Sequence, residues 1–117
     1  MAMTMYHGSR DEQIVLHEGL CLTGSYWNAV SYAMGARRFA HEVTVGLDGL
    51  TVLNLDEGFD RDENIAPADL DPADFPGTDV LVFTDEDPQG REHETYRLLT
   101  PAALAAVTVV SAEDLDA

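Results

Sequence analysis

Tyr6-His7-Gly8-Ser9-Arg10 puts an imidazole, a backbone free of side chain and a guanidinium within five residues. A histidine ending an apolar stretch, with glycine beside it, presents a ring nitrogen and an approachable peptide at one point. Farther along stand Tyr32 and then the run Arg91-Glu92-His93-Glu94-Thr95-Tyr96. Two glutamates spaced by two on a strand share one face, here with Tyr96 and Leu98. A carboxylate held near a reacting group is a device for stabilising positive charge as it develops. Glu92 and Glu94 are both candidates for that role.

These groups need elements to position them. Residues 4–7 read as a short strand that ends on His7, and 20–22 as a second. Residues 10–18 read as a turn or short helix that carries Ile14, Val15 and Leu16 inward. Ser25 is a good N-cap for a helix over residues 26–39. At 100° per residue Trp27, Val30, Ser31 and Met34 share the expected core stripe. Tyr32 falls about 140° from Trp27, beside Asn28, and must be covered by another element or line a cleft. Residues 42–47 alternate as a half-buried strand, Asp48-Gly49 signals a two-residue hairpin, and 50–55 returns as the partner strand.

Residues 56–78 hold eight acidic residues and three prolines and read as a loop or lid, with a helical turn around 66–70. Strands follow at 80–83 and 94–99 around a turn at 87–90. Pro101 opens a short helix through Ala106. A last strand covers 107–110, and the tail 113–117 is expected to fray. The sum is an α+β domain over residues 1–117, with split antiparallel sheets and one main helix.

The bulk properties narrow the class. The chain has 117 residues, a length suited to one core. Twenty-two acidic residues against six basic ones, all arginine, give a formal charge of −16. Such a surface repels phosphate backbones, which argues against nonspecific nucleic-acid binding and favours a partner with a basic surface. The lone Cys21 permits no internal disulfide, and His17, His41 and His93 show no metal spacing and are expected at the surface or in turns. No apolar run is long enough to span a bilayer, so the expected location is the cytoplasm.

The order Tyr6-His7-Gly8-Ser9, Ile14, Gly19-Leu20 and Tyr32-Ala33 resembles the opening of the ADP-ribosyltransferase superfamily, in its diphtheria-toxin and poly(ADP-ribose)-polymerase branch. The likeness covers residues 5–34 well and 79–99 loosely. It implies NAD as substrate, with His7 bonding the adenine-side ribose and the Gly8 backbone holding the nicotinamide carboxamide. It further implies Tyr32 stacked on the nicotinamide and Ala33 matching the alanine after it. Ala29 takes the place of a small serine, and Ser9 and Arg10 lie toward the rest of the cofactor, with Arg10 near the pyrophosphate. Glu94 becomes the catalytic glutamate and Glu92 the group that orients the acceptor. Cys21 stands where the branch usually has a second tyrosine, for which Tyr26 or Trp27 could substitute.

The activity so implied is transfer of ADP-ribose to a macromolecular, protein target with release of nicotinamide, as in a phage or bacterial effector. Two other readings fit the same residues. One is a non-catalytic acidic binding or inhibitor protein on the same scaffold, such as a nucleic-acid mimic. The other is an NAD glycohydrolase toxin that uses water as acceptor.

Overall fold

The computed structural model describes residues 2–55 and 71–116. Among the described residues, seven strands form one mixed, mainly antiparallel sheet, accompanied by two short α-helices, an α+β arrangement dominated by sheet. In chain order they are β1 (Ala2–Ser9), β2 (Leu20–Thr23), α1 (Tyr26–Tyr32), β3 (Phe39–Gly46), β4 (Val52–Asn54), β5 (Val80–Glu86), β6 (Glu92–Leu98), α2 (Pro101–Ala105) and β7 (Val107–Asp114). The strand order across the sheet is β4-β5-β6-β2-β1-β3-β7.

The central joint is narrow. β1 and β2 share a single register pair, Tyr6 with Thr23, whereas β1 pairs with β3 from Ala2 opposite Gly46 to Ser9 opposite Phe39. The sheet is therefore two ladders, β7-β3-β1 and β2-β6-β5-β4, that diverge on either side of one rung. The ladders close on each other: Met5, Val43 and Val45 of one pack with Val80, Val82, Tyr96 and Leu98 of the other in the main core. On β5 the alternate residues Leu81 and Phe83 point the opposite way, into a second core with Leu55, Phe75 and Leu99. Burial of both faces explains why residues 80–83 are uniformly apolar.

Several expectations change. Asp48-Gly49 does form a turn, with Gly49 at φ 83° and Leu50 N–H donating to Leu47 C=O. No hairpin follows, because β3 already has β1 on one side and β7 on the other. β4 instead runs parallel to β5 at the far edge of the sheet. The main helix stops at Tyr32, where Ala33 turns extended and Gly35 takes φ 111°; from Phe39 onward the chain pairs with β1. Of the 10–18 segment only Ile14 packs on the core, and Val15 and Leu16 are exposed.

The chain's C-terminal segment does not fray through residue 116. β7 pairs with β3 as far as Asp114, Leu115 N–H donates to Arg38 C=O, and Asp116 bonds the Arg38 guanidinium at 2.9 Å. Most of the acidic stretch, with the helical turn expected at 66–70, lies outside the described residues. Its end carries a 3-10 turn at Pro72–Asp74 and the buried Phe75.

Candidate functional site

α1 lies on β1 where Gly8 has no side chain. A Cβ there would overlap the Ala29 carbonyl oxygen and come within 2.9 Å of the Ala33 amide nitrogen. Small residues thus form the helix's contact face, and Asn28, Ala29 and Ala33 are buried. This reverses the expected stripe. Trp27 and Met34 face outward, Trp27 with 70% of its surface exposed. Large apolar residues do not mark the packed side here, because the interface is backbone against backbone and bulky groups do not fit it.

Where the two ladders part beneath α1, a cavity of about 330 Å³ opens. His7 and Gly8 line it from β1, Cys21 from β2, and Ala29 and Tyr32 from α1. β5 supplies Asp85, and β6 supplies His93 and Thr95. His7 spans the fork: its Nδ1 lies 3.0 Å from the Cys21 carbonyl oxygen. A carbonyl only accepts, so Nδ1 carries the proton and Nε2 is left as an acceptor in the neutral ring. Burial lowers the His7 pKa below its ordinary 6.5 despite the Cys21 bond, and the neighbouring His41 and His17 lower it further.

Tyr32 is fixed from the opposite side. Its hydroxyl donates to the Glu86 carbonyl at 3.0 Å and lies 2.7 Å from His93 Nε2, with the two rings edge to face. Since the tyrosine proton serves Glu86, His93 donates from Nε2, and its Nδ1 accepts from the Thr95 hydroxyl at 3.2 Å. The chain Thr95, His93, Tyr32, Glu86 is thereby satisfied in one direction. Burial, with Asp85 and Asp87 adding negative charge, pushes the Tyr32 pKa up to about 12, so the phenol stays neutral. Asp87 anchors α1 from below: Asn28 Nδ2 donates to it at 2.8 Å, as do the backbone amides of Gln89 and Arg91. Burial opposes that charge, but the bonds from Arg91, Asn28 and Gln89 outweigh it and hold the carboxyl below its usual range.

His7, Gly8, Ala29 and Tyr32 therefore converge on one cavity, and Cys21, at the place of the expected second tyrosine, lines it too. Ser9 and Arg10 lie outside it, in a neighbouring open groove of about 380 Å³ with Asp11 and Met34. Tyr32 borders both spaces. Ser9 is occupied structurally, its Oγ lying 2.8 Å from Nε2 of the fully buried His41 and 3.0 Å from the Asp11 carbonyl.

Glu94 and Glu92 are not in the cavity. Both project from the face of β6 opposite His93 and Thr95, and Glu94 accepts a bond from the Tyr96 hydroxyl. The sequence correctly put both glutamates on the Tyr96 face, but that face turns away from the site. The carboxylate lining the cavity is Asp85, which stands opposite His93 in the β5–β6 ladder. His41 and His93, expected at the surface, are buried. The turn expected at 87–90 would set Asp85 against Glu92; the hairpin instead closes on Asp87 and Arg91, which shifts the pairing by one and sets Asp85 against His93.

No family model, curated protein or solved structure matches the chain.

Proposed function

We propose that the cavity takes the nicotinamide end of NAD and that the protein is an ADP-ribosyltransferase modifying a protein target. The observation that carries this reading is the convergence of the His7-Gly8 pair of β1 with Ala29 and Tyr32 of α1 on one small apolar cavity. Its split sheet, joined at one rung, also suits the family's fold. Tyr32, neutral and clamped, offers a stacking face, and the neutral His7 offers Nε2 to a ribose hydroxyl. The groove past Tyr32, with Arg10, suits the diphosphate and adenosine.

In this mechanism the bond from the ribose anomeric carbon to nicotinamide breaks, and its electron pair leaves with the ring, which departs neutral. Asp85 faces the developing oxocarbenium charge, replacing Glu94 in that role. The acceptor nucleophile then bonds the anomeric carbon and gives its proton to solvent. Such an enzyme fits an effector acting in the cytoplasm of a bacterium, of phage or bacterial origin.

A second reading, an acidic binding protein without catalysis, draws on one feature: both glutamates expected to catalyse face away from the cavity. Nicotinamide release from NAD in the presence of cell lysate separates the two. Asp85→Asn is expected to lower release by about 10²-fold or more, and Glu94→Gln to leave it within about twofold. No release by the unaltered protein would sink the enzyme reading. Release without label on any macromolecule would make the protein a glycohydrolase.

A further inference from the structure

β7 forms one edge of the sheet, and its eight residues have β3 as their only strand neighbour among those described. An open edge offers backbone N–H and C=O groups to an added strand. Val109 and Val110 on it are half exposed. The pairing with β3 shifts register between Glu42 and Val43, which leaves Val110 as the extra residue and Ser111–Asp114 as a regular four-residue rung beyond it.

That rung adjoins an aromatic surface. The Tyr26 hydroxyl donates to the Glu113 carboxylate at 2.6 Å, the Tyr26 ring meets Trp27 edge to face at 5.1 Å, and on its other side Tyr6 at 5.8 Å. Glu42, paired with both Tyr6 and Ser111, adds a second carboxylate to the same sheet face. The nearby Arg38 is tied to Asp116, so it does not neutralise this rim.

We infer that the Ser111–Asp114 edge, with Tyr26, Trp27 and Glu113, is a docking surface for an extended, arginine- or lysine-bearing segment of a partner protein. Charge decides the occupant. A second copy of this chain would bring its own Glu113 and Asp114 against these, within a molecule of formal charge −16. A basic strand meets complementary carboxylates, and its cationic side chains find the open face of an exposed tryptophan. Tyr26 is kept in place by Glu113, which presents the ring and the charge as one unit. This surface needs no NAD, so its success or failure is independent of the proposed chemistry.

Trp27 is the chain's one tryptophan, so its emission reports directly on the surface. Titration with an extended arginine-rich peptide is expected to blue-shift that emission saturably, and an acidic peptide of equal length to leave it unchanged. Glu113→Gln should weaken binding about three- to fivefold, while Glu18→Gln, the same charge change at a distant exposed site, should not. A peptide N-methylated at alternate amides should bind about tenfold more weakly or worse. Equal weakening by both substitutions would reduce the interaction to diffuse attraction and overturn the inference. Undiminished binding of the N-methylated peptide would overturn the strand-addition geometry.

Discussion

Tyr32 carries more of the site than any other side chain, because it walls both the cavity and the groove and is held at its hydroxyl from two sides. Removing the hydroxyl leaves His93 Nε2–H, a buried donor, without its partner. Tyr32→Phe is therefore expected to destabilise the fold by about 1–3 kcal/mol. His93→Gln should cost a similar amount, and the two together less than their sum, a coupling of about 0.5–3 kcal/mol in a double-mutant cycle read by denaturant unfolding. Strict additivity would mean that the directed chain of hydrogen bonds does not operate. The residue scale also explains the misplacement of the carboxylate. The position of Glu94 at the head of a β-rich run and its spacing from Glu92 fix only that the two share a strand face. Which face borders a cavity depends on what packs against the sheet, and Tyr96 claims the glutamate face for the core.

At the scale of elements, the tightest constraint is the crossing of α1 over β1. Gly8→Ala would drive a methyl into the Ala29 carbonyl, with backbone on both sides of the clash. The helix would have to lift, at an expected cost of about 1–3 kcal/mol or more. Thermal unfolding would measure it, and a loss below about 0.5 kcal/mol would show that the contact is slack. The same crossing shows what the sequence could and could not convey. Ser25 as N-cap, Pro101 opening α2 and the start of β5 at Val80 follow from local rules and are found as expected. The Tyr32 position was legible too, as a tyrosine off the supposed stripe. Trp27 and the hairpin after Gly49 misled, because local chemistry does not show which strand edges are already taken or how near two backbones approach. β4 lying parallel to β5, across the sheet from its sequence neighbour β3, is a long-range pairing of that kind.

At the scale of the whole molecule, the half-buried His7 and the fully buried His41 sit with ring centroids 6.2 Å apart. Burial lowers both pKa values below the ordinary 6.5. The unfolded chain therefore takes up protons first as pH falls. Stability contributed by these neutral rings is complete above about pH 6.5 and is lost as pH drops through that value toward the folded pKa. The lowered carboxyls of Asp79, Asp87 and Asp116 act below their ordinary 3.8, outside this window. Acidification also relieves repulsion within a molecule of formal charge −16, so the unaltered protein alone mixes two effects. His41→Gln removes one histidine, and its unfolding midpoint is expected to fall less than that of the unaltered protein between about pH 7.5 and about pH 5.5. Equal falls would exclude His41 as a source. The single rung between Tyr6 and Thr23 has a consequence for ligand size. With β1 and β2 pinned together there and again through His7 and Cys21, the pocket floor cannot widen without severing the sheet into halves. A guest larger than the cavity must grow outward past Tyr32, so selection by length and selection by girth belong to different parts of the molecule and can be altered separately.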